Sequence, residues 1–369
     1  MSDATIERGK VLAYRVFDVA NEIALDAAER RLAGQKVKRR MRLGKEGAAE
    51  ALVFTSLPLE VGLGRRPVRL QGRELEADLF ARVFEYGAIS IAFEFDVEPG
   101  TTFAALTPLC AEIYEAPALE EAGRREAAEL LALVGDAAES PRVWGGVETY
   151  TVIFVEALEG APMPARLRSS DALAKLLLGE RADKGLSEDR RRDVLGTALS
   201  YFDDDLVIID WNSAFVLEPG GGRQIPEILE FATSQLLEHR YYDSILDREL
   251  LRIHDEVARA RPRFRLLRSP YAALAREVLR RLVELWEFTE RVDNALKVIG
   301  DFYLAHVYQA AVRRFRIPAW QASLNEKKEL VRQAYELLKG DVDIGRSTAL
   351  EIVIVLLILF EVVNTLVRH

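Results

Sequence analysis

VFEYGAISIAFEFD, residues 83–96, is the stretch that decides how this chain folds. Successive side chains of a strand point to opposite faces. From Ala88 onward, Ile89, Ile91, Phe93 and Phe95 therefore fall on one face, and Ala88, Ser90, Ala92 and Glu94 on the other. This period of two predicts a strand with one face packed on a core. Working outward, Val11 to Val19 and Ala51 to Val61 read as further strands, with an amphipathic helix from Asn21 to Leu32 between them. On the other side, Pro99-Gly100 ends the strand and Thr101 opens an Ala/Leu/Glu-rich helical region that reaches Val134 and is divided at Pro117. Val147 to Leu158 and Leu206 to Val216 follow as strands, separated by helices near Ser170 to Leu178 and Ser187 to Tyr201.

Gly220-Gly221-Gly222 closes this region, and everything after Pro226 reads as helical. Val278, Leu282, Leu285, Thr289, Val292, Leu296, Ile299 and Tyr303 recur at alternating spacings of four and three, which is a heptad seam. A similar stripe runs back from Val257 to Tyr242, and another runs from Trp320 to Leu338. Breaks are expected at Arg261-Pro262 through Pro270 and at Ile317-Pro318, so that Tyr271 to Arg316 forms one long helix.

The last 18-residue stretch of the pattern, Leu350 to Val367, holds 14 Leu, Ile, Val or Phe residues. As a helix it is about 27 Å long, close to the ~30 Å of a bilayer's hydrocarbon. Glu361, Asn364 and Thr365 form a polar stripe on it, expected to face protein neighbours in an oligomer. The expected fold is thus an α+β N-terminal domain followed by a long-helix antiparallel coiled-coil bundle with a C-terminal transmembrane helix. Its expected parts are residues 1–222, 226–348 and 349–369.

Composition narrows the function. A 49% hydrophobic and 30% charged chain with 23 glycines is an ordinary folded protein. A net charge of -9 excludes a surface that is basic throughout. The single cysteine, Cys110, excludes a disulfide framework and reads as a small core residue. The N-terminus MSDATIERGKVLAYRV has neither a secretory h-region nor the Arg-rich character of a transit peptide.

The strongest charge anomaly is Arg30, Arg31, Lys36, Lys38, Arg39, Arg40, Arg42 and Lys45, a basic segment that fits RNA phosphates or anionic head groups, or else a solvated helix end and loop. Arg259, Arg261, Arg263, Arg265 and Arg268 read as cations ending a helix. Asp203-Asp204-Asp205 with Asp210 offers oxygen ligands for a divalent ion, or a turn before a strand. His239, His254, His306 and His369 show no paired metal spacing, and no phosphate-binding loop or hydrolase elbow occurs. No catalytic residue and no cofactor is expected.

TALEIVIVLLILFEVV (348–363), preceded by LNEKKELVRQAYELLKG (324–340), ELWEFTERVDNALKVIGDFY (284–303) and LLEHRYYDSILDREL (236–250), resembles the C-terminal half of the YagE-like, or required-for-meiotic-nuclear-division, family, and the 83–96 strand resembles that family's aromatic strand motif. The resemblance implies an anchored α+β protein, a bacterial member at the inner membrane with its bulk in the cytoplasm. It also implies a link to translation through ribosome tethering. The expected function is a non-catalytic, oligomeric, membrane-anchored scaffold or adaptor. Its expected partners are a membrane, other copies of the chain and a ribosome or RNA, with no small-molecule substrate. The alternatives are a metal- or nucleotide-dependent enzyme with its site near Asp203 to Asp210, and a soluble coiled-coil oligomer.

Overall fold

The computed structural model describes residues 4–32, 36–40, 53–54, 58–70, 72–142, 144–160, 164–259, 271–280, 282–283, 296–298 and 302–367. They divide into two compact units, one of residues 1–241 and 291–318, the other of residues 242–290 and 319–369.

The first unit is built on a mixed sheet. In chain order its elements are β1 (Thr5–Asp18), β2 (Glu22–Ile23), α1 (Leu25–Arg31), β3 (Lys36–Arg40), β4 (Val53–Phe54), β5 (Leu59–Leu70), β6 (Arg73–Val83), β7 (Ala88–Asp96) and β8 (Thr101–Thr102). Then come α2 (Phe103–Tyr114), α3 (Pro117–Val134), β9 (Ala138–Glu139), β10 (Glu148–Leu158), α4 (Pro164–Leu167), α5 (Asp171–Leu178), α6 (Glu188–Leu195), β11 (Ala198–Leu199), β12 (Leu206–Ile209) and β13 (Ser213–Leu217). The large sheet has ten strands, nine of them in the order β11-β12-β13-β10-β1-β7-β6-β5-β3, with β8 paired to the start of β1. All of its pairs are antiparallel except β10 with β13.

Alternation in β7 works as its sequence demands. Ile89, Ile91, Phe93 and Phe95 join Val11, Ala13 and Phe17 of β1 in a core shared with Phe103, Cys110 and Ile113 of α2 and Leu119, Leu130 and Val134 of α3. Burying a side chain of this size contributes about 1.5–3 kcal/mol. Hydroxyl caps start the helices on this face: Thr102 accepts the Ala105 N–H at 3.2 Å and Ser170 accepts the Leu173 N–H at 3.2 Å. Pro117 occupies the first turn of α3, where its missing N–H costs nothing. Arg15, 1% exposed, spends its guanidinium on the carbonyls of Tyr14 and Ile113, the latter at the end of α2. That bond adds to the long one, 3.5 Å, that the Ile113 carbonyl takes from the Ala116 N–H at the helix end.

The opposite face of the sheet carries α7 (Gln224–Arg259), whose Ile228, Leu229, Phe231 and Ala232 are buried, and the helix Phe302–Arg314. Phe231 packs near Phe84 and Tyr308, with ring centroids at 6.3 Å and 5.9 Å, and Phe315 meets Tyr150 edge-on at 4.9 Å.

Several expectations are corrected. The single helix expected from Tyr271 to Arg316 is interrupted by a strand, β14 (Leu296–Val298), that pairs with β4. The heptad spacing is real, but tertiary pairing overrides local helical preference. The break at Arg261 to Pro270 lies outside the described residues. The expected fold class, a coiled-coil bundle ending in a transmembrane helix, gives way to a large mixed sheet flanked by helices. Among the described residues, no helix is long and apolar enough to cross a membrane. The expected tail anchor and inner-membrane location are therefore unsupported.

The physical reason lies in the second unit. Leu350 to Val367 is not a separate element but the end of one 51-residue helix, Ile317–Val367, whose earlier turns are highly charged. Glu361, Asn364 and Thr365 continue the helix as backbone, and the polar stripe expected of their side chains lies outside the described residues.

Candidate functional site

The face of the sheet that meets α7 is not uniformly apolar. Strand register sets the positions. Glu60 of β5 lies opposite Arg82 of β6, and Phe80 of β6 lies opposite Ala92 of β7, which in turn faces Tyr14 of β1. Leu12 lies opposite Glu94 two pairs further along, on the same face. Over them sit Arg223, just before α7, and Glu227 and Glu230 in its first turns, three residues apart and so on one side of the helix. These ten residues line a half-open cavity of about 260 Å³.

Its charges are arranged in two groups. Arg82 is shared by three carboxylates: its Nη2 donates to Glu60 at 2.9 Å and to Glu227 at 3.1 Å, and its Nη1 donates to Glu230. Glu94 receives a two-pronged bond from Arg223, at 2.6 and 3.0 Å, and another from Lys10. Burial pushes the Glu94 carboxyl up, but the bonds from Arg223 and Lys10 outweigh it and hold it below the usual carboxylate range. The same pair raises Arg223, chiefly through its bond to Glu94. Burial pushes the Tyr14 phenol well above its ordinary value, so it stays protonated.

Glu230 is 1% exposed, Glu227 3%, Glu94 5% and Arg82 8%. Despite this crowding, Arg82 Nε and Glu230 Oε1 are buried with no hydrogen-bond partner among the described residues. Buried polar groups are ordinarily bonded, so an unbonded donor and an unbonded acceptor in two side chains that line one cavity set it apart. Sequence reading passed over this site because its charges come from five separated segments. The available signal was Glu94, a carboxylate inside an otherwise small and apolar strand face.

The residues singled out from sequence lie elsewhere. Arg30 and Arg31 end α1, and Arg31 pairs with Asp136 at 2.6 Å. Lys36, Lys38, Arg39 and Arg40 form β3, the terminal strand of the sheet, while Arg42 and Lys45 lie outside the described residues. Cations on an edge strand discourage further strand addition, which gives this run a structural use.

Asp205 accepts the N–H groups of Tyr201 and Phe202 at 2.8 and 2.9 Å, closing the turn before β12, and Asp210 is bonded by Arg314. Among the described residues, no group of three or more His, Cys, Asp or Glu is placed to hold a metal ion. His239 is buried and bonded to the Gln235 carbonyl at 2.7 Å. Cys110 is fully buried in the core, as its composition suggested. A second, open depression of about 520 Å³ lies around Asp210, Trp211, Arg190 and Arg314. Its charges are largely paired with one another: Asp193 takes Arg190 at 2.9 Å and Arg314 at 3.0 Å.

A family model described as "Uncharacterized protein MJ0711, N-terminal domain" matches residues 8–224, from β1 to the first residue of α7. Uncharacterized protein MJ0711 of Methanocaldococcus jannaschii is 23% identical over 197 residues, 53% of this chain and 59% of that protein. The chain thus spans about three fifths of this relative's length. No solved structure matches the chain. These findings replace the YagE-like resemblance and leave the expected bacterial origin without support, since the matching relative is archaeal. The resemblance rested on the order of apolar helical segments in the C-terminal half, a pattern that many helical chains share, whereas the match covers the sheet. The chain belongs to the MJ0711 N-terminal domain family.

Proposed function

We propose that this chain is a non-catalytic binding protein whose sheet-rich unit takes a small polar molecule into the cavity beneath α7. One observation carries the reading: Arg82 and Glu230 both line a space of about 260 Å³, and each has a buried polar atom, Arg82 Nε and Glu230 Oε1, without a hydrogen-bond partner among the described residues. A cavity of this size with a few convergent polar groups and aromatic walls has the make-up of a ligand pocket, at the small end of the usual range. The test is native mass spectrometry of the purified chain, together with thermal unfolding in the presence of cationic, zwitterionic, neutral and anionic small molecules. A bound mass, or a saturable rise in Tm that Arg82→Met abolishes, supports the reading. No bound mass and no rise with any compound overturns it.

A second reading, an oligomeric scaffold, is favoured by the second unit. Leu350 and Val353 to Ile358 are 48–65% exposed and lie on every side of their helix. Folded chains seldom leave so much contiguous apolar surface open, and a second copy of the same helix is a suitable cover. Light scattering should then report a mass above that of one chain for the parent and a monomer for Leu356→Lys with Leu357→Lys. Equal masses would remove this reading.

A further inference from the structure

Resting on the reading of the cavity as a ligand site, we infer that its occupant is a small organic cation with an ammonium or guanidinium head. The first reason is charge. Around the cavity two guanidiniums, Arg82 and Arg223, face four carboxylates, Glu60, Glu94, Glu227 and Glu230. Lys10 reaches Glu94 and brings the cations to three. Because Arg223 and Lys10 both serve Glu94, the carboxylate surplus falls on the Arg82 group, where one guanidinium is divided among three acids. A buried surplus of like charge is costly, and an incoming cation removes the cost.

Hydrogen bonding gives the second reason. Glu230 Oε1 is a free acceptor at the least exposed acid of the site, and an ammonium or guanidinium supplies only donors. A free carboxylate on the ligand would restore the surplus and is disfavoured.

The third reason is the lining. The rings of Tyr14 and Phe80 border the same space, and aromatic faces attract cations. The volume accommodates a molecule of on the order of ten non-hydrogen atoms.

The experiment is calorimetric titration of the full chain with agmatine, 4-amino-1-butanol, 1,4-butanediol and succinate. Saturable binding of agmatine or the amino alcohol is expected, with the diol and succinate silent. Glu230→Gln should weaken it about tenfold or more, as loss of a charge-assisted bond does. Phe80→Leu, which leaves every charge in place, should weaken it several-fold and serves if Glu230→Gln fails to fold. Binding of succinate or the diol with both amines silent overturns the cation assignment and leaves the ligand site standing. Silence of all four, with no small molecule carried through purification, overturns both.

Discussion

Replacing Arg82 with methionine tests whether the charges beneath α7 act as a single unit. Methionine retains most of the apolar stem but removes the guanidinium that three carboxylates share. Two of these, Glu227 and Glu230, have side chains only 4% and 1% exposed, and Glu60 is 14% exposed. Removing one partner of a buried pair costs about 3–5 kcal/mol, because the remaining charge is neither solvated nor paired. With three acids left facing one another, the upper half of that range, about 4–5 kcal/mol near pH 7.5, is expected. That is a large share of the ~5–15 kcal/mol by which a typical domain is stable.

The assay is urea unfolding followed by circular dichroism near pH 7.5. Adding Glu230→Met to Arg82→Met should recover part of the loss, since one of the buried acids is then gone. A deficit under about 1 kcal/mol, or no recovery in the double variant, would refute the reasoning.

Three further outcomes are expected. Burial pushes Glu148 up to about 7 against the opposing pull of Arg240, so the native state binds this proton more tightly than the unfolded chain does. Its contribution is fully present below the unfolded value of 4.5 and is lost as pH rises through about 7. Glu148→Gln should accordingly flatten the fall in Tm across that window, and parallel pH profiles for parent and variant would contradict this. Burial pushes the Cys110 thiol up to about 12, so iodoacetamide should label it only as fast as the first unit opens, and rapid labelling in native buffer would count against the core assignment. Gly87, in the β6–β7 turn, has φ +92°, and a Cβ there would lie 2.0 Å from the Ala20 carbonyl oxygen. Gly87→Ala should cost more than about 2 kcal/mol in urea unfolding, and a near-neutral effect would show that the turn can rearrange.

Local chemistry wrote much of the first unit into the sequence. Alternation in Ala88 to Phe95 specifies a strand because the period of two is a property of extended backbone, and β7 runs Ala88–Asp96. Pro117 marks the start of α3 because a proline acts within one turn, and the opening read at Thr101 falls one residue before the cap of α2, Thr102. Leu206 to Val216, by contrast, was expected as one strand and is a tight antiparallel pair, β12 and β13, turned at Asp210 to Asn212. The basic run from Lys36 to Arg40 looked like a helix end and loop, yet it is an edge strand held by β5. Pairing partners, which local composition does not name, made that difference.

The sequence by itself determined the strands around Val11 to Val19, Ala88 to Phe95 and Val147 to Leu158, the helical stretch divided at Pro117, and that Cys110 belongs inside, because those outcomes depend on neighbours a few residues away. Only the tertiary structure decided the parallel joining of β10 and β13, the strand at Leu296 to Val298, and the fusion of the apolar tail into one 51-residue helix. The cavity belongs to the same class. Tyr14, Arg82, Glu94 and Glu230 come from four separate elements of the chain, and apart from Glu94 each alone reads as an ordinary surface or core residue. Strand register and the first turns of α7 bring them together, and their charge balance has meaning only once all of them leave water at the same place.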